Sequence, residues 1–185
     1  MLQIYNEGFI NLDKQFLTIG INGFVEGAEF LGYRISPDDE NYKQYAIDIL
    51  TTIKDLNKRD RQPHCKFNTE FVPAESLGVK NAKWDKQDGY WVPRDVYNSY
   101  FYIVEDTHTT PLEKFELMGK DFTGCLDGGS ALHMNLDEHL SKAQYEMLMK
   151  VAVKDGCNYF TFNIPNTVCN DCGHISKQNL KACPK

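Results

Sequence analysis

Ala131-Leu132-His133-Met134-Asn135-Leu136 alternates in character and reads as a strand. Ser141 follows as a helix cap. Lys142 to Lys154 then places Tyr145, Leu148, Met149 and Ala152 on one helical face, and Asp155-Gly156 ends the helix. Asn158 to Ile164 is a second strand, stopped by Pro165. Strand, helix and strand at this spacing form a βαβ unit, whose strands run parallel with a right-handed crossover. The fold class expected is therefore α/β, as a barrel or an open sheet. Ligand sites in such folds lie at the carboxyl ends of the strands.

Working towards the N-terminus, Lys66 to Val72 is another strand, and Pro73-Ala74-Glu75 turns from it into a short helix. Phe16-Leu17-Thr18-Ile19-Gly20-Ile21 reads as a buried strand, with Phe24 to Leu31 helical after the Asn22-Gly23 turn. Ser36-Pro37-Asp38-Asp39-Glu40 reads as a helix start with Pro at an early position. That helix carries Tyr45, Ile49, Ile53 and Leu56 as its apolar face and Lys58-Arg59 at its end. Lys80 to Tyr100 reads as a long functional loop with a short helix. The aromatic cluster of Trp84, Tyr90, Trp91, Tyr97, Tyr100 and, just beyond the loop, Tyr102 is expected to pack it onto the body. Glu26, Glu29, Asp38, Asp39 and Glu40 read as a solvated helical surface. The partial α/β catalytic domain is expected over residues 1–165, and a distinct tail over 166–185.

The bulk numbers exclude several classes. The 185 residues are 42% hydrophobic, an ordinary globular mix. A net charge of -6 disfavours general nucleic-acid binding. No apolar run approaches the roughly 20 residues of a membrane helix, and Met1 to Glu7 has no signal-peptide pattern. A cytoplasmic protein without a membrane partner is expected. The six cysteines are read as reduced thiols with a metal site rather than a disulfide framework. Cys157 is expected to act as a small buried hydrophobe and His133 as a hydrogen-bonded core or cavity residue.

The tail has too little apolar material for a core. It reads Cys169-Asn170-Asp171-Cys172-Gly173, then Cys183-Pro184-Lys185, with ten residues between Cys172 and Cys183. Two cysteines separated by two residues bring both thiolates to one side of a tight knuckle, and the glycine lets backbone amides curl towards sulfur. A second knuckle opening with Cys-Pro closes the four-cysteine site of a zinc ribbon. The expectation is a structural Zn2+ site held by Cys169, Cys172 and Cys183, with one ligand missing and His174 too near Cys172 to replace it. A redox Cys-x-x-Cys or plain surface thiols is the alternative.

Asn68 and Glu70, two apart on one strand, share a face. Pro73-Ala74-Glu75-Ser76 offers free N–H groups at a helix start, a natural seat for phosphate. The plainer reading pairs Glu70 with a basic residue and leaves Pro-Ala-Glu as an ordinary helix N-terminus.

Five strings in order carry a family resemblance: Thr18-Ile19-Gly20-Ile21-Asn22-Gly23; Asn68-Thr69-Glu70 through Pro73-Ala74-Glu75; Asp88-Gly89-Tyr90-Trp91-Val92-Pro93-Arg94-Asp95 leading to Tyr97-Asn98-Ser99-Tyr100; Asp127-Gly128-Gly129-Ser130-Ala131-Leu132-His133; and Tyr159-Phe160-Thr161-Phe162-Asn163-Ile164-Pro165-Asn166-Thr167. With the cysteine knuckle, the chain resembles the C-terminal part of the anaerobic, glycyl-radical ribonucleoside-triphosphate reductases. The resemblance implies the later strands of a ten-stranded α/β barrel and reduction of ribonucleoside triphosphates to deoxyribonucleotides. In that chemistry a glycyl radical, installed by a radical-SAM activating enzyme, passes to a cysteine whose thiyl radical abstracts the ribose 3′-hydrogen. It also implies substrate contacts from Asn68, Glu70, Pro73, Ala74, Glu75 and Ser76, and zinc ligation by Cys169, Cys172 and Cys183. The complete enzyme is expected to be a homodimer.

No catalytic residue is assigned. The thiyl cysteine and radical glycine fall outside the matching strings, and neither Cys65 nor Cys125 stands in the thiyl context. The chain is therefore expected to need the remainder of the reductase for turnover. A free zinc-ribbon interaction module leaves the α/β portion unexplained. An unrelated barrel hydrolase using Glu70 and Glu75 lacks a carboxylate on a second strand.

Overall fold

The computed structural model describes every residue except 1, 72, 107, 137 and 179, and the side chain of Glu75. In chain order the elements are α1 (Gln3–Asn6), a 3-10 turn, β1 (Phe16–Gly20), α2 (Phe24–Phe30), α3 (Glu40–Asp60), β2 (Lys66–Phe71), α4 (Glu75–Gln87), α5 (Pro111–Leu117), α6 (Lys120–Thr123), β3 (Gly129–Ser130), β4 (Leu132–Asn135), α7 (Lys142–Asp155), β5 (Phe160–Asn163), β6 (Thr167–Val168) and β7 (Ile175–Ser176). The class is α/β. Among the described residues no helix is long and apolar enough to cross a membrane.

The decisive βαβ unit forms as its pattern dictates. β4 and β5 pair in parallel, Leu132 opposite Phe160 and Asn135 opposite Asn163. Leu132 and Met134 are buried while His133 and Asn135 are not, the period-two alternation of a strand covered on one face. Ser141 and Gln144 close a reciprocal capping box at the start of α7, and Gly156 ends it in the left-handed conformation (φ 79°). On α7 the inward residues are Tyr145, Leu148, Val151 and Ala152. Met149 is exposed instead, because the face that meets the core is narrower than the apolar set.

The second sheet is also parallel, in the order β1-β2-β3. β2 takes Phe16 opposite Lys66 on one side and pairs Glu70 with Gly129 on the other. Three sequence expectations fail here for physical reasons. β1 is exposed along its length, with Leu17 59% accessible. It lies at the sheet edge and packs chiefly on β2. An apolar run calls for cover but does not say what supplies it. α3 begins at Glu40, capped by the Asp39 side chain, so Pro37 precedes the helix. Its fully buried residues are Tyr42, Ala46, Leu50 and Asn57; of the expected face Tyr45 and Ile49 pack partly buried against the core, while Leu56 is exposed. Tyr42 and Asn57 go inside because their polar tips find partners, the Phe101 carbonyl at 2.8 Å and Thr69 Oγ1 at 2.8 Å. Finally, α4 runs on to Gln87, so the long loop is shorter than its composition suggests.

The core is aromatic. Phe24, Tyr42, Phe71, Phe101 and Phe122 interlock, with Phe71 and Phe101 stacked at 4.3 Å and Phe24 set edge-on to both. The loop aromatics divide: Tyr100 and Tyr102 are buried, as expected of packing residues, while Trp84, Tyr90 and Trp91 remain more than half exposed.

Candidate active site and metal centre

The carboxyl ends of β4 and β5, together with the turn after β2, meet around a hollow of about 180 Å³. Its walls include Ala74 after β2, His133 and Asn135 on β4, Asn163 on β5 and the 96–100 segment. Asn163 Nδ2 donates to Asn135 Oδ1 at 3.0 Å across the strand pair. Parallel pairing aligns the two amides because they stand opposite one another in register. Among the described residues the walls are mostly uncharged and polar, with Glu105 the one carboxylate in the lining.

The 94–104 segment is held in place by a buried carboxylate. Glu26 on α2 is 4% exposed. It accepts from Arg94 Nη1 at 2.6 Å, from Asn98 Nδ2 at 2.7 Å and from the Asn98 backbone N–H at 3.2 Å. Glu29, one turn along, takes the other Arg94 nitrogen. Burial alone would lower the Arg94 pKa, but the two carboxylates outweigh it and raise the guanidinium above its ordinary value. Glu26 and Glu29 are thus not a solvated surface. The carboxylates at i and i+3 on α2 form one receptor for the arginine of the loop, and Asp39 is spent on capping α3. Only Asp38 and Glu40 of that set stand in solvent.

On the other side of the segment, Asn22 Nδ2 donates to the Tyr97 carbonyl and to Ser99 Oγ. The Tyr97 hydroxyl, pushed up to about 12 by burial and by its bond to Asp85, stays protonated and donates at 2.8 Å. Sequence reasoning alone does not single out Asn22, Glu26, Arg94, Asn98 or Ser99 as site residues. The usable signal is an arginine inside an aromatic stretch, with two glutamates one turn apart on a nearby helix.

The expected substrate residues are distributed unevenly. Ala74 lines the hollow, and Pro73 is half-buried beside it in sequence. Ser76 is exposed on the first turn of α4, and the Glu75 side chain lies outside the described residues. Asn68 and Glu70 flank Gly128: a Cβ built there would meet Asn68 Nδ2 at 2.8 Å and Glu70 Cβ at 3.0 Å. Asn68 Oδ1 is buried without a hydrogen-bond partner among the described residues. His133 lines the hollow, as a cavity residue should. Cys157 is partly buried, its thiol donating to the Phe115 and Met118 carbonyls.

The tail forms a knuckle. β6 and β7 pair antiparallel, Val168 opposite Ile175. Cys169 N–H donates to the His174 carbonyl, and Gly173 N–H returns to the Cys169 carbonyl. Gly173 takes φ 69°, the left-handed conformation that closes so tight a loop. The three sulfurs of Cys169, Cys172 and Cys183 lie within 4.8 Å of one another, with Cys172 and Cys183 at 3.5 Å. Thiolates around a tetrahedral metal stand about 3.8 Å apart, given metal–sulfur bonds near 2.3 Å. The triad therefore fits a metal ion. The backbone amides of Cys172 and Asp171, assisted by the neighbouring sulfurs, lower the Cys169 pKa to about 7, so a thiolate is accessible near neutrality. His174 does not join the cluster.

Parallel strands ending at a polar hollow, followed directly by a cysteine knuckle that could hold a metal ion, define an α/β protein with two separate candidate sites. The family model of the anaerobic ribonucleoside-triphosphate reductases matches residues 3–185, and the chain belongs to that family. Among solved structures, an anaerobic ribonucleotide reductase superposes with a TM-score of 0.84 at 28% identity, over 98% of this chain and 29% of its own. The Thermotoga maritima anaerobic ribonucleotide reductase in complex with dATP and CTP gives 0.81 at 28% identity, over 95% and 30%. The same enzyme with MES in the active site gives 0.80 at 28%, over 94% and 30%. No curated protein matches the chain. The chain spans about 30% of the length of the solved reductases it resembles.

Proposed function

We propose that this chain supplies the later strands of a ten-stranded α/β barrel in an anaerobic ribonucleoside-triphosphate reductase. On this reading the enzyme reduces ribonucleoside triphosphates to deoxyribonucleoside triphosphates by glycyl- and thiyl-radical chemistry. The observation that carries it is the hollow at the strand carboxyl ends, built by Ala74, His133, Asn135 and Asn163 in a chain whose family match is nearly end to end. The solved relative bound to dATP and CTP supports a nucleotide as the class of ligand.

In this assignment Asn68, Glu70, Pro73, Ala74, Glu75 and Ser76 contribute to substrate binding, with the start of α4 offering backbone N–H groups to phosphate. Cys169, Cys172 and Cys183 hold Zn2+, which pins the tail and performs no chemistry on substrate. Thiolate donors in this knuckle spacing favour zinc over hard cations. The radical is generated by a radical-SAM activating enzyme acting on the complete, homodimeric, cytoplasmic reductase. The 185 residues contribute cradle and knuckle rather than the radical itself.

The test is kinetic. With activase, formate and a ribonucleoside triphosphate, the complete reductase forms deoxyribonucleotide, and alanine at Glu70 or Ser76 raises KM. The 185-residue chain alone gives no turnover. Turnover by the chain alone overturns the division of labour, and unchanged KM in both variants overturns the siting of the substrate.

A further inference from the structure

Asn98 has a hydrogen-bond partner at both ends of its side-chain amide. It is 5% exposed. Its N–H and Nδ2 donate to Glu26, its Oδ1 accepts the Val104 N–H at 3.0 Å, and its carbonyl accepts the Gly23 N–H at 2.8 Å. The Val104 bond closes the segment from 98 to 104 into a loop, and the Gly23 and Glu26 bonds fasten that loop to α2. Tyr97, Asn98, Ser99, Tyr100 and Val104 all line the hollow. Glu26 itself does not line it.

We propose that Glu26 is a positioning residue: acting through Asn98, it fixes the 97–104 wall of the strand-end hollow and thereby sets affinity for the ribonucleotide that occupies it. This rests on the function proposed above. The physical basis is that a buried carboxylate keeps its geometry only while its donors surround it. Four hydrogen bonds from Arg94 and Asn98 converge on Glu26. Oε1 takes three of these contacts and Oε2 only the Asn98 N–H, so an amide in place of the carboxylate removes the charge behind the Oε1 bonds and sets an N–H donor against the Asn98 N–H, and the clamp loosens. A wall shifted by a fraction of an ångström misplaces the groups that meet the ligand. The pair with Glu29 lies on the outer side of Arg94 and leaves the Asn98 bonds untouched, so it separates stability from positioning.

The experiment compares Glu26→Gln, Glu29→Gln and Ser99→Ala in the complete reductase. Steady-state kinetics on a ribonucleoside triphosphate is combined with amide hydrogen exchange at Asn98 and Val104. Glu26→Gln is expected to speed exchange at both amides and to raise KM on the order of tenfold with little change in kcat. Glu29→Gln is expected to lower the melting temperature without moving either readout. If Glu26→Gln does not fold, Asn98→Ala carries the same expectation. Exchange and KM unchanged in both Glu26→Gln and Asn98→Ala, beside a lowered melting temperature, reduce the clamp to a structural staple and overturn the proposal. Faster exchange with unchanged KM also overturns it. Ser99→Ala distinguishes the two failures. If it raises KM, only the positioning role is lost. If it does not, the hollow is not the nucleotide site and the underlying functional reading falls with it.

Discussion

The carboxylate of Asp127 accepts the backbone N–H of Thr69 at 2.7 Å. The next residue, Gly128, returns its own N–H to the Thr69 carbonyl at 2.8 Å. Thr69 is therefore gripped on both backbone groups just before β3 begins, while its hydroxyl holds Asn57 of α3. One residue of β2 thus joins the sheet to the longest helix and to the turn that launches β3.

Asp127→Ala should cost about 1–2 kcal/mol, the lower range for a hydrogen bond to a charged group at an exposed side chain. Thermal unfolding would show a fall of roughly 2–4 °C for each kcal/mol. Asp127→Asn, which keeps an acceptor, should lose less.

Gly78 lies in α4 with its backbone against Tyr97, whose N–H it accepts at 3.3 Å. An added methyl would run into the Tyr97 carbonyl and crowd its nitrogen at 3.2 Å. Gly78→Ala should destabilise by about 1–3 kcal/mol, the usual range for overpacking, although alanine is the better helix former. Urea unfolding gives the sign: stabilisation by alanine would mean that α4 and the loop are not packed as described.

Much of this is legible in the sequence, and the limits are instructive. Ser141, Gly156 and the alternation of Leu132, His133, Met134 and Asn135 announce β4-α7-β5 because capping, left-handed glycine and strand periodicity are local effects. The cysteine spacing announces the triad for the same reason. Glu26 misleads because its partner lies 68 residues away, and a glutamate on a helix looks solvated until its arginine arrives. The burial of Asn57 likewise depends on Thr69 across an intervening turn. α5 and α6 escape a sequence reading because each is short, although Thr110 and Glu113 form a capping box that Pro111 reinforces.

Cys157 offers a pH prediction. Burial, with a smaller contribution from Asp155, pushes its thiol from 9.0 up to about 12. The folded pKa is raised above the unfolded value, so the protonated thiol stabilises the fold fully below about pH 9. That contribution is lost as pH climbs from 9 towards 12. At about pH 8, iodoacetamide should spare Cys157 in the native chain while labelling Cys169 of chelator-treated protein, whose thiol lies at about 7. Equal labelling of the two would contradict the packing of Cys157 beneath α5.

Metal removal should act locally first. Elemental analysis of chain expressed with ample zinc should give about one ion, or slightly less, per chain, and Cys172→Ser or Cys183→Ser should lower that figure sharply. Chelation should expose residues 166–185 to protease while the aromatic core keeps its near-ultraviolet signal. Zinc-free protein from such expression would remove the metal assignment.

The knuckle and the hollow share one stretch of backbone. Asn163 closes the wall and Thr167 opens the first strand of the knuckle, with only Ile164, Pro165 and Asn166 between them. His139 Nε2 sits 3.0 Å from the Pro165 carbonyl, bracing that connection from the α7 side. If the three sulfurs hold the proposed ion, it acts as a tether at the end of a short lever. Cutting such a tether would pass slack to the Asn135–Asn163 amide pair before the distant sheet, so on the function proposed above metal depletion would first weaken the hold on the nucleotide.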